Sequence, residues 1–188
     1  MPLPDPTSRE LIHRRTIECQ GFRRDDGLWD IEAVMQDTKT YNFPNRDRPG
    51  GEVKAGEPVH RMLLRVTVDD HMVIRDAVAT TEYGPYAMCP RITDSYRKLK
   101  GIRIGKGWRR KVKEIVGGVR GCTHHSELLG PIATAAFQTI YPLKTKHAST
   151  GKAASDATIR PLIINTCHAF ATDSEVVKRQ WPQFYTGS

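Results

Sequence analysis

Cys122, His124 and His125 fall within four consecutive positions of the stretch Gly-Cys-Thr-His-His-Ser-Glu that begins at Gly121. A thiol beside two imidazoles is the set of side chains that holds a soft or borderline metal ion or forms a thiolate–imidazole pair. The setting favours either use. Thr123 reads as an N-cap, Glu127 belongs to the first turn, and Leu128, Ile132, Ala135, Ala136 and Ile140 recur at helical spacing. The free N–H groups and positive dipole end of such a helix start lower a thiol pKa. Taken alone, the stretch is equally compatible with a core-facing cysteine beside two surface histidines.

Cys89 sits in Pro-Tyr-Ala-Met-Cys-Pro, where a strand ends and a helix begins. Two distant thiols at two helix starts can converge, and zinc and ferrous iron both accept thiolate with imidazole. The tight Cys-x-x-Cys spacing of structural zinc sites is missing. Nucleophilic catalysis is the rival use of the same groups, with Cys122 near His124, or Cys89 near His60, forming thioester intermediates. Glu127 and Asp76 are the carboxylates available to orient the imidazole. His168, in the later pair Cys167-His168, is either a packed histidine or a further acid–base or ligand candidate. Asp25-Asp26 and Asp69-Asp70 are turn residues first.

These groups must be positioned by an α+β domain. Residues 1–8 hold three prolines and read as a flexible leader, with a single domain over 9–188. Two extended segments, 12–22 and 28–43, flank an Asp-Gly turn and form an antiparallel hairpin. In the second, Trp29, Ile31, Ala33 and Met35 alternate with polar neighbours, as on a sheet with one buried face. Residues 42–58 are rich in turn formers and make a long excursion, a lid or simply a loop. Residues 60–68 and 72–82 form a second hairpin around Asp69-Asp70. Helices follow at 92–99, 108–116 and from 123 onward, giving an antiparallel sheet covered by helices. Pro131 either kinks the last of these or starts a second piece. Residues 144–156 read as a mobile polar loop, 159–170 as an apolar run, and the aromatics near Trp181 as a packed tail.

Charge and composition narrow the partners. Lys and Arg number 29 against 21 Asp and Glu, for a net charge of +8. The only dense basic run, 97–113, carries one aromatic, Trp108, and lacks the interleaved rings of a nucleic-acid stacking platform, so nucleic acid is disfavoured against a solvated basic helix. No run approaches the ~20 apolar residues of a membrane span, and four scattered cysteines without a disulfide spacing suit a reducing, cytoplasmic compartment. The expected partner is a small-molecule substrate or another protein.

The stretches RRDDGLWDIEAVMQDTKTYNF, HRMLLRVTVDDHMVIRDA, PYAMCP and GGVRGCTH together resemble a bacterial family known as domain of unknown function 2889. The resemblance spans nearly the whole chain. Where this chain has His125 that family typically has leucine, which makes His124 the family-like histidine; the Cys167-His168 pair also resembles a family feature. The order of elements over 56–141 is similar to the iron–sulfur cluster scaffold (IscU-like) fold, with the N-terminal hairpin as an extension. That resemblance implies ligands from a strand start, a strand-to-helix turn and a later helix start, which fall at His60, near Cys89 and around His124-His125. A cluster scaffold needs several thiolates, and two of these positions are histidine here. The resulting expectation is a mononuclear zinc or iron site of Cys89, Cys122 and His124 with His60 as fourth ligand, in a metal-assisted enzyme or a sulfur or metal carrier.

Overall fold

The computed structural model describes residues 3–149, 161 and 163–187. Four long strands form one antiparallel sheet in the order β1-β2-β5-β6: β1 (His13–Arg23), β2 (Trp29–Lys39), β5 (Pro58–Val68) and β6 (Ile74–Tyr83). The first hairpin turns at Gly27, whose φ of 83° suits a residue without Cβ. The Arg24 N–H donates to the Leu28 carbonyl at 2.9 Å to close it. Within the 42–58 excursion, β3 (Phe43–Pro44) and β4 (Glu52–Val53) make a separate two-stranded ribbon.

The parity of β2 sets the sheet's two faces. Trp29, Ile31, Ala33, Met35 and Asp37 all point to the buried side, and the residues between them are partly exposed. Met62, Leu64 and Val66 of β5 continue that face. It is covered by a 3-10 helix (Cys89–Leu99), by α1 (Trp108–Val116) and by α2 (Thr123–Ser149), which contribute Tyr96, Leu99, Trp108, Leu128, Leu129, Ile132, Ala136 and Ile140. The segment expected as a helix over 92–99 thus begins earlier, at Cys89, and is wound with three residues per turn. That pitch stacks Thr93, Tyr96 and Leu99 along one side, of which Tyr96 and Leu99 are fully buried.

α2 runs through both Pro131 and Pro142 as one element. It also extends to Ser149, so the first part of the loop expected over 144–156 is helical. Alanine and lysine propagate a helix readily once the apolar turns before them have nucleated it. The rest of that expectation, 150–156, lies outside the described residues.

The chain divides into two compact units, 1–142 and 143–188. In the second, a short 3-10 helix (His168–Phe170) precedes α3 (Glu175–Gln180), whose N-cap Ser174 accepts the Val177 N–H at 3.2 Å. Phe170 meets Trp181 edge-on at 6.0 Å. Cys167, expected inside an apolar run, is exposed. No helix among the described residues is long and apolar enough to cross a membrane.

Candidate functional site

Strand register builds the first half of the site. Arg15 of β1 lies directly opposite Asp37 of β2, and Asp37 lies directly opposite His60 of β5, so three polar side chains on the buried face form one cross-strand row. Arg15 grips Asp37 with two parallel bonds, Nε to Oδ1 at 2.7 Å and Nη2 to Oδ2 at 2.8 Å. His13 Nε2 reaches Oδ1 at 3.1 Å, and His60 Nδ1 reaches Oδ2 at 3.0 Å. A carboxylate only accepts, so the proton on His60 sits at Nδ1 and the lone pair at Nε2. Asp37 is 3 % exposed. Burial alone would oppose its ionisation, but the Arg15 guanidinium outweighs it and holds the carboxyl below the ordinary aspartate range.

The start of α2 supplies the second half. The helix begins at Thr123, one residue earlier than a Thr123 cap requires, and Cys122 is the N-cap: its carbonyl accepts the Ser126 N–H at 2.9 Å. Glu127 accordingly falls beyond the first turn, where it pairs with Arg15 Nη1 at 2.5 Å and ties α2 to β1. The Tyr96 phenol, fully buried, holds the cap in place. It accepts the Cys122 N–H at 3.0 Å, and its oxygen lies 2.8 Å from the Cys122 carbonyl and 2.9 Å from Ser126 Oγ.

Cys122 Sγ lies 3.9 Å from His124 Nδ1. Burial would raise the thiol pKa, but the His124 imidazole and the backbone N–H groups of His124 and His125 reverse that and bring it down to about 5. The sulfur is therefore a thiolate at neutral pH. The His124 ring stacks on His60, with centroids 3.7 Å apart and planes inclined by 28°. Burial, and then His124, lower the His60 pKa, so this imidazole is neutral at pH 7 despite the nearby carboxylate.

A cleft of about 430 Å³ is lined by His60, Cys89, Cys122 and His124 together with Met62, Tyr86 and Val119. The four residues expected as ligands from sequence thus share one cavity. They are not equally close within it. Asp37, His60 and His124 present ligand-type atoms within 4.8 Å of one another, and Cys122 adjoins His124, whereas Cys89 stands on the wall outside that group. His125 takes no part in the lining: it is fully buried, and its Nε2 bonds the Thr80 carbonyl at 3.1 Å. His168 belongs to the other unit of the chain. Asp76, a candidate orienting carboxylate, is exposed on β6, where its Oδ1 accepts the Ala77 N–H.

The excursion over 42–58 braces the cleft without lining it. Asn45 Nδ2 donates to the Pro85 carbonyl at 3.0 Å, and Asp47 Oδ2 accepts the Ala87 N–H at 2.9 Å, which fixes the segment that carries Tyr86. Asp37, Arg15, His13 and Tyr96 are site residues that motif reasoning missed. For Asp37 a signal existed, since it continues the buried parity of Trp29, Ile31, Ala33 and Met35, where a carboxylate needs a partner.

A family model described as protein of unknown function (DUF2889) matches residues 13–138, a span that takes in every residue of the cleft and of the Asp37 row. No curated protein and no solved structure gives a significant match.

Proposed function

Because the chain belongs to the DUF2889 family, its function has to be argued from the cleft, and we propose that the cleft is a mixed Cys/His metal site for zinc or ferrous iron. His60, His124 and Cys122 are the protein ligands, and Cys89 is an exchangeable fourth. The observation that carries the reading is the bond from His60 Nδ1 to Asp37, which leaves Nε2 as the free lone pair of a neutral ring. Metal-binding histidines are held in this manner, one nitrogen on a carboxylate and the other on the ion. Asp37 itself is an unsuitable ligand, since Arg15, His13 and His60 already occupy both its oxygens.

The protonation states agree. A ligand set must be deprotonated before an ion binds. Here a thiolate with a pKa of about 5 adjoins a stacked pair of imidazoles. The stacked His60 and His124, Cys122 beside His124 and a further thiol on the wall leave a position that a small-molecule substrate can take, where the ion would polarise an oxygen or activate water. The element-order resemblance to the cluster scaffold supports the same reading, since it implies ligands at a strand start, a strand-to-helix turn and a helix start. Four free thiols suit a reducing cytoplasmic setting.

Metal analysis of untagged protein tests the proposal. About one zinc or iron per chain is expected, lost in Cys122→Ser and His60→Ala, and bound about 10–100-fold more weakly in Asp37→Asn. Protein that carries no metal and takes up neither ion on titration overturns it. The low thiol pKa beside His124 favours one second reading, a metal-free thiol enzyme with Cys122 as nucleophile. That reading predicts stoichiometric alkylation of Cys122 with the same rate before and after chelation. It is the weaker one, because the carboxylate orients His60 rather than the imidazole beside the thiol.

A further inference from the structure

The two edges of the main sheet are finished differently. β6 carries two bulges, at Arg75 and Glu82, where its register against β5 shifts. Its start is also occupied, since the Ile74 N–H donates to the Ile102 carbonyl at 2.9 Å and the Ile74 carbonyl accepts the Gly101 N–H at 2.8 Å. β1 has neither device. Its eleven residues pair with β2 without a register shift and include no proline, and all but the half-buried Cys19 are exposed. A long, unbroken edge of this kind is a template for a further strand.

The hydrogen-bond alternation along the hairpin fixes which backbone groups are free. The Thr40 N–H donates to the Ile12 carbonyl at 3.3 Å and the Arg24 N–H to the Leu28 carbonyl at 2.9 Å, both in the register of the β1–β2 pairing. Bonded and non-bonded pairs alternate in an antiparallel ladder, so the even residues of β1 bond to β2 and the odd ones, His13 to Arg23, aim N–H and C=O away from the sheet. Among the described residues no strand pairs with that side.

We propose that a second copy of this chain pairs there, β1 against β1 and antiparallel, with the two-fold axis at Thr16. The odd residues then supply the ladder bonds, His13 with the partner's Cys19 and Arg15 with the partner's Ile17. The even residues meet in the closer, non-bonded pairs: Thr16 faces its own copy, and Arg14 faces the partner's Glu18 twice over by symmetry. Threonine pairs and opposite-charge pairs are both favourable across strands. An axis at Ile17 loses the charge match, one at Glu18 opposes two glutamates, and one at Arg15 opposes two arginines. Both charged groups are available. Arg14 has no carboxylate partner among the described residues, and Glu18 bonds Gln20 of its own strand at 2.8 Å. The match of the strand to its own sequence favours a second copy over an unrelated strand. The interface would adjoin the buried row of the site, because His13 and Arg15, which hold Asp37, lie on the pairing strand. The inference stands apart from what the cleft binds.

Sedimentation equilibrium of the full chain over about 1–100 μM tests it. A dimer is expected, weakened about tenfold in Arg14→Glu and in Glu18→Arg, and restored in the double variant that carries both changes and so exchanges the charges. Ile17→Pro removes an outward N–H without touching the bonds to β2 and is expected to weaken the dimer as well. Each variant is checked for fold by circular dichroism. A monomer throughout this range overturns the inference and leaves the edge to a strand of another protein. A dimer that ignores the single charge reversals, or that the double variant fails to restore, overturns it too.

Discussion

At the Cys122 sulfur two effects compete, and their balance decides its chemistry. A half-buried thiol loses hydration when it ionises, which raises its pKa. Against this, the N-cap position supplies the N–H groups of His124 and His125, and the adjacent His124 imidazole adds a further hydrogen bond, so the anion wins with a pKa of about 5. An ionised form favoured by the fold is populated above that pH and lost below it. In chelator-treated protein, alkylation of Cys122 by iodoacetamide should therefore rise through pH 5 and be flat by pH 7. An unperturbed thiol rises near ~8.5. His124→Ala is expected to move the midpoint upward, as read from the pH–rate profile, and Cys122→Ser to abolish the fast label. A wild-type midpoint near that of a free thiol would show that the helix start does not stabilise the anion. The residue types at this centre were legible from sequence, and Cys122, His124, Cys89 and His60 do share a cleft. The identity of the cap was not: Thr123 has the better capping side chain, yet the fully buried Tyr96 grips the backbone of Cys122 and sets the helix start one residue earlier.

At the scale of elements, the site depends on α2 lying against the sheet at a fixed height. That contact is close at Gly21 of β1, where a Cβ would meet Thr139 Oγ1 at 2.0 Å and Thr139 Cβ at 2.8 Å. Because the β carbon itself is too near, no rotamer change of Thr139 relieves the clash, and its hydroxyl is bonded to the Ala135 carbonyl at 2.8 Å besides. Gly21→Ala is expected to cost about 1–3 kcal/mol in urea denaturation, with part recovered in the double variant that adds Thr139→Ala. An unchanged midpoint would mean that the helix does not approach the strand there. The hairpins were readable because alternation and turn chemistry are local, and the strands fall within two residues of the expected ones except that β2, expected to run to 43, ends at Lys39. Two features were not local. The 3-10 winding of Cys89–Leu99 follows from packing Tyr96 and Leu99 under one side of the sheet, and the register that sets Arg15, Asp37 and His60 in a row follows from pairing strands over twenty residues apart.

For the molecule as a whole, the main apolar cluster among the described residues lies in one unit. Every buried apolar residue of the main cluster lies between Trp29 and Ile140, and the cleft with its supports, Arg15 and His13 included, lies within 13–140. A chain ended after Ser149 is therefore expected to keep a cooperative urea transition, with the slope reduced only in proportion to the residues removed, and to retain the cleft's metal. A broad, non-cooperative transition would show that the 143–188 unit completes the fold. Sequence by itself determined the α+β class, the two hairpins and the residue types of the cleft, because propensity, parity and side-chain chemistry act over a few residues. Tertiary structure alone decided which histidine faces the cleft, that a buried aspartate orients His60, that Cys89 stands apart from the closer group, and that His125 is spent on the Thr80 carbonyl. Those outcomes hang on strand register and helix height, which arise from long-range packing and leave no mark in the spacing of the motif.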